Sequence, residues 1–153
     1  MRSGVQVNVA PIMRYAFAMD RTLAVTGLRE YFDAHADGIV CAYLFGSTAR
    51  DDARPGSDVD VGILLARDPA PTLAESGVRI AEAIERHLHC PVETVLLNRA
   101  PVDLVHRVLR DGVLVFDADP ARRIQFEVRA RGLFFDLKPI LDQYRRKAPA
   151  ARG

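Results

Sequence analysis

Residues 45–50 read FGSTAR and residues 57–60 read SDVD, with six residues between the two segments. The first segment follows an apolar run over residues 39–45 that is typical of a buried strand. The second opens a run in which Val59, Val61 and Ile63 alternate with polar residues or glycine, which predicts a second strand. Both segments therefore lie at the ends of predicted strands, where polar side chains can be held rigidly beside the core.

The two aspartates of the second segment are predicted to form a pair. Asp58 and Asp60 are two residues apart in an extended run, so both carboxylates leave the same face of the strand. Two like charges this close repel each other unless a cation lies between them. Because oxygen ligands alone suit Mg²⁺, the pair indicates a magnesium site.

The first segment has the features of an anion site. Gly46 lets the backbone approach a ligand closely, and the amides of Gly46 and Ser47 would open a short helix beside the Ser47 hydroxyl. Arg50, about one turn further on, is placed to clamp a phosphate or to brace the loop. A phosphate cradle next to a metal-binding carboxylate pair is what phosphoryl or nucleotidyl transfer requires.

A Gly-Ser or an Asp-x-Asp alone is common, and acidic residues in turns usually face solvent. The composite pattern has six fixed residues, which arise by chance in about one chain in 10⁵ at average residue usage. They are Gly46, Ser47, Arg50, Ser57, Asp58 and Asp60. The rarity of the composite favours a functional interpretation.

This pattern resembles the signature of the nucleotidyltransferase superfamily with the DNA polymerase β-type fold. The resemblance implies that Gly46 and Ser47, with Arg50 and Ser57, bind a nucleoside triphosphate. It also implies that Asp58 and Asp60 bind two Mg²⁺ ions, and that a third carboxylate on a nearby strand completes the site and helps to activate the attacking hydroxyl.

Glu93 is the best match for the third carboxylate. It lies in the apolar run over residues 92–97, which is followed by Asn98 and by Pro101 at a helix start, an order often seen in the family. An acid in an otherwise apolar strand is costly without a partner, which favours a metal ligand over a solvated glutamate at a strand edge. The predicted catalytic and metal-binding set is thus Asp58, Asp60 and Glu93.

In length and layout the chain resembles the minimal nucleotidyltransferase (MNT) antitoxins over about residues 20–145. Residues 126–141 also resemble the C-terminal helix of that group, although less specifically. The resemblance implies a HEPN-type toxin as partner, with AMP transferred from ATP to a tyrosine of that toxin. Two alternatives stay open: an antitoxin that neutralises by binding alone, and an aminoglycoside-type enzyme that acts on a small molecule.

The alternation of helical and strand patterns along the chain predicts an α/β (α+β) fold, with a small mixed sheet flanked by helices and a long C-terminal helix. Helices are expected over about 20–36, 72–89, 101–111 and from 120 onward, and strands over 39–45, 59–65, 92–97 and 113–116. We expect a leader over 1–18, a nucleotidyltransferase core over 19–118, a helical segment over 119–147 and a frayed tail over 148–153.

The long C-terminal helix is expected to bury one apolar stripe and to be kinked or divided by Pro139. The stripe comprises Phe126, Ala130, Leu133, Phe134, Leu137, Leu141 and Tyr144. Its other side is basic, and Arg122, Arg123, Arg129 and Arg131 are the arginines expected to dock a partner.

The 153 residues are enough for one domain, and the 21 basic and 20 acidic residues give a net charge of +1. The charge is unevenly distributed, because residues 121–153 carry +6 and residues 1–120 carry −5. A basic segment on an acidic body can steer an acidic partner, whereas the balanced total makes nucleic acid an unlikely ligand. No apolar stretch approaches the roughly 20 residues of a membrane span, so we expect a cytoplasmic protein that does not enter membranes.

Overall fold

The computed structural model describes residues 18–69 and 74–147. Its elements are α1 (Arg21–Ala34), β1 (Ile39–Phe45), α2 (Gly46–Ala49), β2 (Val59–Leu65), α3 (Ala74–Leu88), β3 (Val92–Leu96), α4 (Val102–Asp111), β4 (Val113–Asp117) and α5 (Pro120–Lys147). All but the last residue of the expected leader, and all of the expected tail over 148–153, lie outside the described residues. Across the described ranges, no helix has both the length and the hydrophobicity that a membrane span requires.

The four strands form one mixed sheet in the order β3-β2-β1-β4. β1 is central and antiparallel to both β2 and β4, whereas β2 and β3 are parallel and are connected through α3. The predicted fold class, a small mixed sheet flanked by helices with a long helix at the C-terminal end, is therefore confirmed.

The first face of the sheet is covered by α1 and α3. Leu28 and Phe32 of α1 and Ile84 of α3 are fully buried against it, and each such side chain contributes about 1.5–3 kcal/mol by leaving water. Asp20 begins α1 as expected, because its Oδ1 accepts hydrogen bonds from the amides of Thr22 (2.8 Å) and Leu23 (3.2 Å). This face is the larger part of the core.

The second face is covered by α4 and by the first half of α5. Val108 of α4 is fully buried there, and the His106 ring stacks on Phe134 of α5 with ring centroids 3.6 Å apart. Phe126 and Ala130 of α5 are partly buried in the same cluster. Asp60 lies between Val59 and Val61 of β2, which pack on the first face, so the Asp60 side chain projects from this second face.

The predictions for the long helix α5 are met in part. The helix continues from Pro120 to Lys147, so of the two effects expected of Pro139, a kink or a division, the division does not occur; Pro139 is exposed, where water can replace the lost backbone hydrogen bond. None of its residues is fully buried, so the expected inward stripe is only half correct. Its N-terminal members pack on the domain, whereas Leu133, Leu137 and Tyr144 are exposed.

Candidate active site

The two halves of the sequence motif meet where β1 ends and β2 begins. Phe45, the last residue of β1, is paired in register with Asp60 of β2. Gly46 follows with φ +72°, and a Cβ atom built there would overlap the Asp60 carboxylate. Gly46 is thus required by the carboxylate that sits against it, in addition to the close ligand approach expected from the sequence.

The short helix α2 holds Ser47 next to this carboxylate. Thr48 and Ala49 are buried and anchor the turn to the core, while Ser47 is partly exposed. Phe45, at the N-cap position, makes no side-chain hydrogen bond to the helix. The first amides of a helix have no partner within it, so this turn keeps the donors that an anion would use.

The three predicted carboxylates lie at the beginnings of two neighbouring strands, β2 and β3. Asp60 and Glu93 are register partners on the parallel strands β2 and β3, which places both side chains on the same face of the sheet, about one strand spacing apart. Asp58 immediately precedes β2, at the boundary predicted from the sequence. The sheet therefore places Glu93 beside Asp60, although the two residues are far apart in the sequence.

The electrostatics of the group are unfavourable without a cation. Burial, then the nearby charges of Glu93 and Asp58, raise the pKa of Asp60 to about 6, against a smaller opposing effect of Arg50. The oxygens of these acids are the donor type that Mg²⁺ prefers. In residues 18–69 and 74–147, no three acidic, histidine or cysteine side chains lie close enough together to hold one metal ion. Asp58 and Glu93 are exposed, and a metal ion held by all three acids stays a prediction.

One reason given for Glu93 from sequence is wrong. We expected an acid in an apolar strand to be costly without a partner, but β3 is an edge strand and Glu93 is exposed. Solvent removes that cost. Glu93 is instead favoured by its register with Asp60, and its role as a metal ligand remains a prediction.

Arg50 and Ser57 shape the loop between the two halves of the motif. The Arg50 Nε donates to Asp52 Oδ2 at 3.2 Å, and the arginine side chain is about half exposed. Ser57 closes a type II turn over residues 54–57: its amide donates to the Arg54 carbonyl and its Oγ accepts from the Arg54 amide, both at 2.9 Å, with Gly56 at φ +82°. Both side chains thus brace the loop, and their contact with a nucleotide stays a prediction.

Sequence reasoning missed a polar cluster on the second face, which we call the clasp: Tyr43, Asp117, Arg123 and Glu127. Glu127 Oε1 accepts hydrogen bonds from the Tyr43 hydroxyl (2.6 Å) and from Arg123 Nη1 (2.8 Å), and the Arg123 Nε donates to Asp117 Oδ2 at 2.9 Å. The clasp ties α5 to β1 and β4. Only the i, i+4 spacing of Arg123 and Glu127 could have signalled any of it.

The clasp corrects the expected docking surface. Arg123 is mostly buried in ion pairs, and Arg122 Nη2 donates to the Ala66 carbonyl at 2.7 Å, so both arginines hold α5 to its own domain. Arg129 is exposed and remains available to a partner, whereas Arg131, about half exposed, already lies 3.7 Å from Glu127 Oε2.

Asn98, singled out in the sequence after the predicted third strand, also has a structural role. Its Oδ1 accepts from the Leu65 amide at 2.8 Å and its Nδ2 donates to the Leu65 carbonyl at 3.0 Å. The side chain thereby continues the pairing of β2 and β3 beyond the end of β3 and keeps the two strands in register.

Comparison with known proteins agrees with this geometry. The family described as polymerase beta nucleotidyltransferase matches residues 27–121. No curated protein sequence matches the chain significantly.

Several solved structures share the fold, and their sequence identities to this chain are low enough that they are evidence for the fold alone. A toxin–antitoxin structure with AMP-PNP superposes with a TM-score of 0.63 at 19% identity, covering 78% of this chain and 97% of that one. An MntA–HepT toxin–antitoxin structure gives 0.58 at 19% identity, covering 80% and 97%. A complex of tri-AMPylated Shewanella oneidensis HEPN toxin with MNT antitoxin gives 0.58 at 19% identity, covering 81% and 98%.

The family match extends from α1, through both halves of the motif and Glu93, to the start of α5. It covers well over half of the sequence, and the arrangement of Gly46, Asp60 and Glu93 lies wholly within it. This chain therefore belongs to the polymerase β nucleotidyltransferase family.

Proposed function

We propose that this protein is the antitoxin of a toxin–antitoxin pair and a Mg²⁺-dependent enzyme that transfers AMP from ATP to a tyrosine hydroxyl of a HEPN-type toxin. One observation carries the proposal. Gly46, Asp60 and Glu93 come from three different strand ends: the Asp60 carboxylate lies against Gly46 at the start of α2, and Asp60 is the register partner of Glu93. The fold shared with antitoxins solved alongside their toxins supports the choice of partner.

Asp58, Asp60 and Glu93 are the residues that would hold two Mg²⁺ ions. When bound, the ions would neutralise the phosphate oxygens and orient the α-phosphate for attack. Gly46 and Ser47 would seat the β- and γ-phosphates through their amides and the serine hydroxyl, while Arg50 offers a positive charge at the same end of the sheet.

In the proposed reaction the acceptor oxygen attacks the α-phosphorus of ATP. A new P–O bond forms, the bond to the bridging oxygen of the β-phosphate breaks, and pyrophosphate leaves. Glu93 would accept the hydroxyl proton, because its position on the edge strand faces the side from which an acceptor can approach. The product is a toxin carrying AMP on its tyrosine.

The proposal is tested with α-labelled ATP, Mg²⁺ and a HEPN-type toxin purified with this protein. We expect label on the toxin, none when its acceptor tyrosine is changed to phenylalanine, and none with the Asp60→Asn antitoxin. Mg²⁺ and ATP together should also raise the melting temperature, because a ligand that binds only the folded state stabilises it. A toxin that is fully neutralised without label would instead establish an antitoxin that acts by binding alone.

A second candidate acceptor, a small polycationic molecule such as an aminoglycoside, is favoured by one feature. A groove of about 510 Å³ between α3 and β3 is lined by Glu82, Glu85 and Glu93. Acidic walls suit a polycation, but the groove lies on the α3 face of the sheet, opposite the face from which Asp60 projects. Kanamycin in place of the toxin, under the same labelling conditions, separates the two: label on the aminoglycoside would favour this second candidate.

A further inference from the structure

The C-terminal half of α5 presents a row of apolar side chains to solvent. Leu133, Leu137, Ile140 and Tyr144 follow the i, i+4, i+7, i+11 spacing of one helix face, and their exposed fractions are 48%, 37%, 50% and 72%. We call these four residues the free stripe. Monomeric proteins rarely leave a continuous apolar stripe of this length in water unless it binds something.

The free stripe continues a face that is already used for packing. One and two turns before Leu133, Ala130 and Phe126 lie on the same face and pack against the second face of the sheet and α4. Leu133 also lines a hollow of about 270 Å³ between α4 and α5, together with Val102 and Val105. The free stripe therefore begins at a side-chain-sized hollow on the domain and continues along the exposed half of the helix.

Basic side chains border the free stripe on both sides. The helical spacing puts Arg129 and Lys147 along one edge, and Lys138 and Arg145 along the other. Lys138 is paired with Asp142 at 3.0 Å. Asp136 is an acid that lies near the other edge, the one that carries Arg129 and Lys147. The border is net positive, which favours an occupant with acidic flanks.

A second copy of this chain is a poor occupant for the same reason. Packed antiparallel, two free stripes would bring the arginines near residue 130 of one helix against the basic cluster over 145–147 of the other. Packed parallel, each basic cluster would face its own copy. Like charges directly opposed across an interface cost binding free energy in either arrangement.

We propose that the free stripe and the adjoining hollow bind an amphipathic helix of the acceptor protein, whose apolar stripe is flanked by Asp and Glu. A bulky apolar side chain of that helix fills the hollow, and the remaining apolar positions lie along Leu137, Ile140 and Tyr144. The inference rests on the proposed function only in taking the acceptor to be a protein.

An anionic membrane also attracts a basic amphipathic helix, but two features favour a protein partner. The hollow lies between α4 and α5 and has the size of one side chain, which a partner helix supplies. In addition, Val128 and Phe135 are exposed on the opposite side of α5, so its apolar residues do not form the single broad face of a helix that lies in a membrane surface.

The test uses two fluorescein-labelled 18-residue helical peptides with leucines at i, i+4, i+7 and i+11, one flanked by glutamates and one by lysines. Binding to the full chain is followed by fluorescence anisotropy without ATP. We expect the glutamate peptide to bind at least tenfold more tightly than the lysine peptide at 50 mM NaCl, with the difference shrinking at 500 mM NaCl.

Ile140→Asp should weaken glutamate-peptide binding at least tenfold. Val128→Asp is the matched control, because it introduces the same charge at a similarly exposed β-branched residue on the opposite side of α5, and it should change binding less than twofold. Circular dichroism and melting temperature verify that both variants fold. Equal losses in the two variants, or equal affinity for the two peptides, would overturn the proposal.

Two further measurements distinguish other occupants. Binding to phosphatidylserine vesicles that is lost in Ile140→Asp but not in Val128→Asp would assign the stripe to a membrane. A dimer in sedimentation equilibrium that only Ile140→Asp dissociates would assign it to a second copy. Because none of these assays contains ATP, failure of AMP transfer leaves the docking result standing, and the reverse also holds.

Discussion

Two polar clusters lie on the same side of the sheet, yet their charges are arranged in opposite ways. In the candidate active site, Asp60 lies near two further acids, Glu93 and Asp58, and the opposing effect of Arg50 on it is smaller than theirs. In the clasp, every charged group has an opposite partner: Arg123 lies between Asp117 and Glu127, and Tyr43 adds a hydrogen bond to Glu127. The charges of the candidate active site lower the stability of the folded protein when no ligand is bound, whereas those of the clasp raise it.

The titration of the two clusters reflects this difference. The pKa of Asp60 is raised to about 6 by burial and by its acidic neighbours. Burial also acts to raise the pKa of Glu127, but the hydrogen bonds from Tyr43 and Arg123 outweigh it and bring that pKa below its ordinary value. An unfavourable charge cluster that the fold nevertheless maintains is characteristic of a functional site, whereas a paired network is as well explained by structure alone.

The largest expected effect is on AMP transfer, which should depend on the candidate active site and not on the clasp. Asp60→Asn should reduce AMP transfer by at least about 10²-fold, because it removes a proposed metal ligand, while raising the melting temperature at pH 7.5 because it removes a repelled charge. Transfer is measured with labelled ATP and stability by thermal unfolding. Near wild-type transfer by this variant would show that Asp60 is not a metal ligand.

Substitutions in the clasp are expected to lower the free energy of unfolding without lowering the rate of AMP transfer. Glu127→Gln should lower the free energy of unfolding by about 1–3 kcal/mol, because it weakens hydrogen bonds and ion pairs that are largely removed from solvent. Denaturant unfolding gives the free energy, and transfer per folded molecule should stay at the wild-type value. Tyr43→Phe is the milder companion, at about 1 kcal/mol. A variant that folds stably but has lost transfer would give the clasp a catalytic role.

The smallest expected effect is a pH dependence of opposite sign in the two clusters. Because the pKa of Asp60 in the folded state lies above its ordinary value, the folded state binds the extra proton, and stability falls as pH rises from about 4 to about 6, by about 1 kcal/mol after allowance for solvent screening. Because the pKa of Glu127 is depressed, its contribution is present above its ordinary pKa and is lost as pH falls below about 4.5.

Denaturant unfolding of wild type and Asp60→Asn at several pH values isolates the first effect. The stability advantage of the variant should be small near pH 4 and reach its full value above pH 6. An advantage that does not change with pH would mean that charge repulsion at Asp60 is not what the substitution relieves.

How much of the site could be predicted depends on the length of chain that connects its parts. Asp58, Asp60 and Gly46 lie within 15 residues, a distance over which strand periodicity and the turn after the first strand predict their proximity. Glu93 was chosen by resemblance and by a desolvation argument that fails, because no spacing in the sequence states that β3 is an edge strand. The clasp joins Tyr43 to Glu127 across 84 residues, a distance over which local patterns carry no information.

The apolar pattern of α5 shows the same limit in another form. The spacing of Phe126, Ala130, Leu133, Leu137 and Tyr144 predicted one buried stripe, and the structure buries only its first half. Periodicity states which side chains share a face, but not whether anything covers that face, since a core stripe and a binding stripe have the same sequence pattern.

The sequence by itself determined the order of helices and strands and the turn at Gly46, because these follow from local backbone geometry and from hydrophobic periodicity. Only the tertiary structure decided that Glu93 is the register partner of Asp60, that Arg123 belongs to an internal clasp, and that half of α5 remains uncovered. Those outcomes depend on which surfaces meet after the chain has closed long loops, and the free energy of such contacts is set by burial and charge pairing between distant residues.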